Sequence, residues 1–396
     1  MRILYLTFYF EPDLGAGSFR NTTLAKELAF QCRNKCEIDV ITSQPNRYKS
    51  FKIKADSTEK KDNITVYRIN IPSHKNGMID QVLSFQHYFT AARKMAKNKK
   101  YDLVFASSSR LFTAFLGYTI AKSQKIPLYL DIRDIFVESI SEVITNSLIK
   151  GIILPVLKEI EQKTFNYATH INLISEGFKP YFSKYQKAEY SFFTNGIDEI
   201  FINNKNKPNI PNERFTIAYA GNIGDGQGLH KIIPQAALKL DKRYKFRIIG
   251  DGGAKPLLIE ELDNLKVKNV ELLDPVPRKK LIGIYNESDF LFLHLNEYDA
   301  FKRVLPSKIF EMAAFNKPII AGVGGYAYEF IEKYVPNHIL FTPCDVDSMV
   351  EQLINYRYMN EERKEFKNKF SRKSINQEMA TSILSYLKHE HPHHRH

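Results

Sequence analysis

The stretch PSKIFEMAAFNKPIIA, residues 306–321, predicts the start of a helix followed at once by a buried strand. Pro306 fixes φ just ahead of Ser307 and Lys308, and the free amides of a first helical turn form a partial positive pole. Glu311 lies one turn further on, roughly on the face of Lys308. This order of a cation, a carboxylate and helix amides predicts a site for a phosphorylated ligand with a polar sugar. The alternative is an ordinary ion pair at the surface.

The length and hydropathy indicate a two-domain protein that does not span a membrane. The chain has 396 residues, whereas single hydrophobic cores stop growing at roughly 250–300 residues. No apolar run approaches the ~18 residues of a membrane-spanning helix. Residues 2–8 are predicted to form a first strand and not a signal peptide, because Glu11, Pro12 and Asp13 follow without a cleavage site.

The charge balance favours a polyanionic partner. The chain carries 57 Lys and Arg against 44 Asp and Glu, a net charge of +13. It has no zinc-finger spacing, no aromatic-rich RNA-binding strand and no basic helix with heptads, so nucleic acid is not expected. An anionic membrane surface and a diphosphate substrate are the favoured partners.

The cysteines favour a reducing cytoplasm. Cys32, Cys36 and Cys344 are too few and too scattered for a disulfide framework. No histidine or second cysteine pair lies near Cys32 and Cys36 to complete a zinc site, so no metal is expected.

Apolar, β-branched runs alternate with amphipathic stretches along the whole chain, a pattern typical of α/β folds with parallel sheets and crossover helices. Two doubly wound domains are expected, at residues 1–200 and 213–372, joined by a linker at 201–212 rich in turn formers. The last stretch, 373–396, ends in a His-rich tail to which we assign no role. The predicted strands are residues 2–8, 37–42, 64–69, 102–106, 128–131, 171–174, 191–194, 215–220, 245–249, 270–273, 290–295, 318–321 and 339–341.

The first predicted strand is followed by a loop that contains Gly15 and Gly17, which let the backbone approach a ligand. It is not a dinucleotide fingerprint, because Arg20 stands where the last glycine would be. The alternative is an ordinary connection between a strand and a helix. Further along, strand 128–131 ends in a charged segment with Arg133, Asp134 and Glu138 at its carboxyl edge, where a ligand site of a doubly wound sheet would lie.

Three more turns follow predicted strands of the second domain. The glycine-dense segment 219–229, with Asn222 and Gln227, precedes a helix at a place where amides gather round phosphate. A glycine-aspartate-glycine turn begins at Gly250, and a turn with Val276 follows strand 270–273. Each turn alone is common, but their order and spacing to the helix start at 308–311 are specific as a set.

Together these segments resemble the retaining nucleotide-sugar glycosyltransferases of family 4, and most closely the bacterial polysaccharide type exemplified by the L-fucosamine (N-acetylfucosamine) transferases. The resemblance covers nearly the whole chain. It implies a GT-B fold of two facing Rossmann-like domains, an acceptor-side first domain, a nucleotide-sugar-binding second domain and a C-terminal helix that crosses back to the first. It also implies that the segment 194–198 is structural punctuation before the linker.

The resemblance implies a role for each site residue. Asp134 would orient or deprotonate the acceptor hydroxyl, Arg133 would hold an acceptor phosphate, and Lys308 would face the departing diphosphate. The alternative for Arg133 and Asp134 is an internal ion pair that closes a loop. Arg20 and Glu138 are expected on the acceptor side. The residues expected to bind the nucleotide sugar are Gly15, Gly17, Asn222, Gln227, Gly250, Val276, Arg303, Ser307 and Glu311.

The sequence departs from the family pattern at three of these positions. Arg303 replaces the first glutamate of the E-x7-E motif, which contacts the donor sugar in the family, so sugar selection is in question. Asn222 and Gln227 stand where many members have arginine and lysine. The missing charge would then come from Lys308 or Arg303.

The function implied is transfer of an N-acetylated hexosamine or deoxyhexosamine from a UDP-sugar to a polyprenyl-diphosphate-linked glycan, in O-antigen or capsule synthesis. Configuration would be retained without a metal or cofactor, and the protein would be cytoplasmic and peripheral on the inner face of the membrane. A non-hydrolysing UDP-sugar epimerase and a non-catalytic nucleotide-sugar-binding subunit are the alternatives.

One further helix, at about residues 146–165, has two interpretations. It is either a helix that lies on a membrane or one that faces the core with a solvated edge, and the second is favoured because most amphipathic helices cover a sheet. Its apolar residues Leu148, Ile149, Ile152, Ile153, Leu157 and Ile160 alternate with Lys150, Lys158 and Lys163.

Overall fold

A computed structural model of the chain describes residues 1–13, 15–45, 55–71, 78–108, 111–144, 146–204 and 214–388. The chain divides into two compact units. The first comprises Met1–Asn195 and the chain from Ser374 onward, and the second comprises Gly196–Lys373. None of the described helices combines the length and the hydrophobicity needed to cross a membrane.

The first unit is built on a sheet of eight strands in the order β3-β4-β2-β1-β5-β6-β7-β8. All neighbours pair in parallel except β3, which forms an antiparallel edge with β4. The strands are β1 (Arg2–Thr7), β2 (Glu37–Ser43), β3 (Thr58–Lys61), β4 (Ile64–Ile69), β5 (Leu103–Ser108), β6 (Leu128–Ile132), β7 (His170–Leu173) and β8 (Glu189–Ser191).

The second unit is built on a parallel sheet of six strands in the order β11-β10-β9-β12-β13-β14. The order reverses between β9 and β12, which makes their carboxyl ends the topological switch point where doubly wound sheets bind ligands. The strands are β9 (Phe215–Asn222), β10 (Tyr244–Asp251), β11 (Val270–Leu273), β12 (Phe290–His294), β13 (Ile319–Gly322) and β14 (His338–Phe341).

Helices connect the strands, and buried apolar clusters lie on both faces of the second sheet. The helices are α1 (Ala16–Gln31), α2 (Met78–Lys97), α3 (Leu111–Gln124), α4 (Phe136–Val143), α5 (Ser147–Tyr167), α6 (Lys179–Phe182), α7 (Glu199–Ile202), α8 (Leu229–Leu240), α9 (Lys255–Asn264), α10 (Arg278–Glu287), α11 (Lys308–Ala313), α12 (Tyr326–Tyr334), α13 (Val346–Asn355), α14 (Lys364–Lys369) and α15 (Arg372–Lys388).

The predicted class of two doubly wound α/β units is confirmed. All 13 predicted strands are found, with ends shifted by up to three residues. Strand β3 was not predicted, because its sequence TEKK is polar and all four residues are exposed. Helix α15 packs Met379, Ala380 and Ile383 into the core of the first unit, which confirms the predicted return of the C-terminal helix.

The unit boundary falls at Gly196, upstream of the predicted linker at 201–212. The reason is that Ile197 and Phe201 are buried in the core of the second unit. Residues 205–212 of the predicted linker, like residues 389–396 of the tail, lie outside the described residues. The backbone of Ile197 also accepts from Arg372 N and donates to Phe370 O.

The cysteine prediction is wrong at one pair. Cys32 and Cys36 form a disulfide, with a Cα–Cα distance of 5.6 Å. The turn that ends α1 brings them together, because the Cys36 amide donates to the Cys32 carbonyl at 3.1 Å. Both side chains are buried in the core cluster beneath α1.

Candidate functional site

At the switch point of the second unit, the loop after β9 is closed by the two residues predicted there. The Asn222 side-chain amide donates to Gln227 Oε1 at 2.7 Å, and the Gly224 amide donates to the same oxygen at 3.2 Å. The Tyr219 hydroxyl donates to the Asn222 carbonyl at 2.6 Å. The structure therefore brings Asn222 and Gln227 together in the turn at the end of the strand.

Lys308 lies against the end of β9, although 87 residues separate it from Gly221 in the sequence. A Cβ atom placed on Gly221 would lie 3.0 Å from Lys308 Nζ and closer still to Lys308 Cε. An added side chain at Gly221 would therefore displace the end of the Lys308 side chain. Burial lowers the pKa of Lys308, and the nearby Arg278 lowers it further, while Glu311 opposes both. An anion bound beside Lys308 would stabilise the charged ammonium.

Glu311 is held by a network that the sequence did not predict. Arg278 Nη2 lies 3.7 Å from Glu311 Oε1 and also pairs with Asp198. Asp198 in turn pairs with Arg372, and the Arg278 guanidinium stacks 4.8 Å from the centre of the Phe201 ring. Asp198 is the last residue of the segment interpreted as punctuation, and here it anchors the arginine that contacts Glu311.

Ser307 and Arg303 lie just before α11. Ser307 occupies the cap position of α11, and its side chain makes no capping hydrogen bond. Arg303 ends the 3-10 turn Asp299–Arg303, whose Phe301 lies against Gly226 of the loop after β9. This turn and the loop thus form one surface, to which Tyr298 also adds a hydrogen bond to Asp225.

His294, Asn296 and Lys231 complete the same edge and were missed by the sequence analysis. His294 Nδ1 lies 2.7 Å from the Gln227 carbonyl, and its Nε2 accepts from the Cys344 amide at 2.9 Å. Burial lowers the pKa of His294 to about 4, so the ring is neutral. Lys231 donates to Asn296 Oδ1 at 3.0 Å and brings a further cation to the loop. No local motif marks these residues; only the sheet order places them here.

Gly250 and Val276 lie on the neighbouring strands of the same edge. Gly250 pairs in register with Gly221, and Val276 follows β11 and packs against the core. Gly250 has φ +154°, and a Cβ atom there would lie 3.0 Å from the Gly221 carbonyl carbon and still closer to its oxygen.

We expect Gly250→Ala to destabilise the protein by about 1–3 kcal/mol, because its backbone conformation and the Gly221 carbonyl both exclude a Cβ atom. The matched control is Gly253→Ala, where an added Cβ meets nothing within 4 Å. Urea unfolding of both variants measures the difference. Equal stability of the two variants would contradict the packing described here.

In the first unit, the structure places the Arg133 side chain against the first turn of α1. A Cβ atom on Gly17 would lie 2.5 Å from Arg133 Nη1. Gly15 precedes α1 with φ +153°, a conformation open to glycine. The Arg133 amide donates to the Ser108 carbonyl at 2.9 Å, which fixes it at the end of β5. The predicted residues Gly15, Gly17 and Arg133 are therefore neighbours at the switch point between β1 and β5.

At the same edge, the carboxyl group of Asp134 has a raised pKa. The pKa of Asp134 is raised to about 6, mainly by burial and to a smaller extent by Glu138, against the effect of a hydrogen bond from Ser139 at 3.1 Å. Arg133 also favours the ionised form. Asp134 and Glu138 are thus close enough to interact, and Asp134 would exchange a proton near neutral pH, as a general base must.

Arg20 does not lie where the acceptor-side prediction put it. Its guanidinium is 1% exposed and pairs with the buried carboxylate of Asp131 at 2.9 Å. It also donates to the carbonyls of Phe193 and Thr194 at 2.7 and 2.6 Å. The cause is burial, because the donors of the Arg20 guanidinium are used by partners within the first unit.

Residues 201–373 match the family model for glycosyl transferases group 1. The match lies within the second unit, which resembles these transferases over almost its whole length. It supports the predicted glycosyltransferase; the retaining mechanism and the L-fucosamine type stay predictions.

A curated relative, WcaI of Escherichia coli (strain K12), assigned to colanic acid biosynthesis as a glycosyl transferase, is 29% identical over 130 residues. The match covers 33% of this chain and 30% of the relative's length. Among solved structures, HepE of Anabaena in complex with UDP and glucose has a TM-score of 0.68 at 16% identity, covering 97% of this chain and 100% of HepE. The lipopolysaccharide glycosyltransferase WaaG has a TM-score of 0.64 at 13% identity, covering 98% of this chain and 96% of WaaG. These likenesses confirm the predicted GT-B fold.

Proposed function

We propose that this protein is a retaining, metal-independent glycosyltransferase that moves a sugar from a UDP-sugar to a lipid-linked glycan in surface polysaccharide assembly. The observation that carries the proposal is the contact of Lys308 with Gly221 at the end of β9, near Glu311, at the switch point of a unit that matches the group 1 glycosyl transferases. HepE, solved with UDP and glucose, supports a uridine nucleotide as the donor.

Each group of the second unit has a chemical part in this proposal. Lys308 and the loop amides stabilise the negative charge that develops on the departing diphosphate. Glu311, with two acceptor oxygens and one arginine partner, holds the ribose hydroxyls. In the first unit, Asp134 orients or deprotonates the acceptor hydroxyl, and Arg133 holds an acceptor phosphate. A polyprenyl diphosphate-linked acceptor of an O-antigen or capsule pathway fits these charges, and an N-acetylated hexosamine or deoxyhexosamine is the proposed sugar.

Thermal unfolding with a panel of UDP-, GDP- and dTDP-sugars tests the donor. A bound donor at 100 times its dissociation constant stabilises the folded protein by about 2.7 kcal/mol. We expect a UDP-sugar to raise the melting temperature of the wild type and of Lys308→Ala, and to do so much less for Glu311→Ala. Turnover should fall in Lys308→Ala. No shift with any donor, or wild-type kinetics in both variants, would dispose of the proposal.

We also expect Arg278→Gln to raise KM for the donor about tenfold, the effect of ~1.4 kcal/mol, with a smaller change in kcat. The reason is that Glu311 loses the arginine that fixes its position. Lys280→Gln is the matched control, because Lys280 is an exposed cation on the same helix. Arg278→Lys should recover part of the donor affinity. An unchanged KM in Arg278→Gln would show that Glu311 does not depend on this contact.

Product analysis separates transfer from the other reactions of this donor class. With donor alone, an epimerase would convert the sugar, whereas a transferase needs an acceptor. A binding subunit would be stabilised by donor yet transfer to no acceptor.

A further inference from the structure

Helix α5 begins as an exposed apolar segment, contrary to the favoured interpretation of a core-facing helix. Leu148 is 79% exposed and Ile152 is 72% exposed. The helix enters the core only later, where Leu157, Thr164 and Phe165 are buried. The exposed large aliphatic residues of this segment are Leu148, Ile149, Ile152, Ile153 and Val156.

The spacing of these five residues places them on one face. Positions i, i+1, i+4, i+5 and i+8 share a stripe about 140° wide on an α-helix with 3.6 residues per turn. The stripe ends one turn later, where Glu159 and Lys163 form an exposed ion pair at 2.9 Å. The face is therefore a bounded patch of aliphatic side chains directed away from the buried side of the same helix.

The charges around the patch favour an anionic lipid surface over a protein partner. Residues 147–158 contain Lys150 and Lys158 and no acidic residue. They also contain no aromatic residue and no arginine, the types that dominate protein interfaces. Aliphatic side chains flanked by lysines are typical of helices that lie in the interface of a bilayer.

The length of the segment sets how it can bind. Twelve residues of helix are about 18 Å long, whereas the hydrocarbon core of a bilayer is about 30 Å thick. The segment can therefore lie in the head-group region with its aliphatic face inward, and cannot span. Lysine stems can extend along the apolar boundary while their ammonium groups reach the phosphates.

We propose that the first half of α5 is a membrane-docking surface for an anionic phospholipid bilayer, which inserts Leu148, Ile149, Ile152, Ile153 and Val156 and sets Lys150 and Lys158 among the head groups. The proposal rests on the proposed function, since it names how the protein would reach a lipid-linked acceptor. Vesicle binding without any sugar tests it separately from transfer.

The first experiment uses the absence of tryptophan from the chain. Ile152→Trp creates a single indole emitter on the patch, and Leu257→Trp creates one at another exposed leucine, on α9. With the full-length protein and vesicles containing phosphatidylglycerol and phosphatidylcholine, we expect the emission of Ile152→Trp to shift to the blue and to be quenched by brominated lipid. The emission of Leu257→Trp should not change. No shift at Ile152→Trp while the protein sediments with the vesicles would overturn the proposal.

The second experiment removes the patch. Leu148→Asn/Ile152→Asn is expected to weaken vesicle partitioning tenfold or more, and Leu257→Asn/Ile259→Asn, two exposed aliphatic residues on α9, to leave it unchanged. Lys150→Gln and Lys158→Gln should each weaken binding about fivefold on anionic vesicles and have no effect on neutral ones. Equal partitioning of the two double variants would overturn the proposal. So would a wild type that shows no vesicle binding, or a dimer that only Leu148→Asn/Ile152→Asn converts to a monomer.

Discussion

Asp134→Asn is expected to lower kcat by about 10²–10⁴-fold, the usual contribution of a general acid or base, while it stabilises the folded protein at neutral pH. The two effects have one cause. Burial raises the pKa of Asp134 to about 6, so the ionised carboxylate that would accept a proton is held in a place that disfavours its charge. A neutral amide of the same shape removes that cost and the basic oxygen together.

The raised pKa of Asp134 determines how the stability difference between Asp134→Asn and the wild type depends on pH. The folded pKa of Asp134, about 6, lies above the ordinary value of 3.8, so the folded protein binds this proton more tightly than the unfolded chain. The contribution of Asp134 to stability therefore falls as the pH rises from about 4 to about 6. Above pH 6 we expect Asp134→Asn to be more stable than the wild type by about 2–3 kcal/mol, and below pH 4 the advantage should vanish.

Urea unfolding at several pH values and the pH–rate profile of transfer measure the two effects. Ser139→Ala is the partner variant, because Ser139 donates to Asp134 and favours its ionised form. Its loss should move the acid limb of the pH–rate profile upward without removing activity. Wild-type turnover in Asp134→Asn would exclude Asp134 from the chemistry, and a loss of stability at pH 7 would contradict its burial.

The turns predicted to bind a ligand in the second unit can be located from the sequence because each follows directly on a strand. Gly250 and Val276 lie at one edge for that reason, and any parallel sheet would bring them together. The meeting of Lys308 with Gly221 follows from the same rule at long range. The contact of Arg278 with Glu311 could not be predicted in this way. Arg278 is the first of three consecutive cations, residues 278–280, and only the tertiary fold determines which of them contacts Glu311.

The sequence is a poorer guide where side-chain burial decides the outcome. Helix α5 has a helical period whether its apolar stripe faces a sheet or solvent, so the pattern left both interpretations open. The sequence predicts Cys32 and Cys36 to be free thiols, whereas the turn that ends α1 brings them close enough to form a disulfide. Arg20 follows a glycine loop, as a ligand-binding cation would, but its partner Asp131 is 111 residues away.

Arg20→Met is expected to destabilise the first unit by about 3–5 kcal/mol, the cost of removing one partner from a buried ion pair. Asp131 is fully buried, and its remaining partners are the Ser107 hydroxyl at 3.0 Å and the Asn172 amide at 2.8 Å. Burial alone would raise the pKa of Asp131, and the Arg20 guanidinium holds it below the ordinary value. Without Arg20 the buried carboxylate keeps two neutral donors and only the electrostatic attraction of Arg133.

The pH dependence and two further variants distinguish this account from a general packing defect. A lowered folded pKa means that the pair stabilises the protein above the ordinary pKa of Asp131 and that this stabilisation is lost as the pH falls through the folded value. The penalty of Arg20→Met should therefore shrink at low pH. Arg20→Met/Asp131→Asn should be more stable than Arg20→Met, because the second change removes the stranded charge. Arg2→Met, which breaks the exposed pair with Glu37, should cost less than about 1 kcal/mol. If the double variant is less stable than Arg20→Met at neutral pH, the uncompensated charge is not what makes Arg20 necessary.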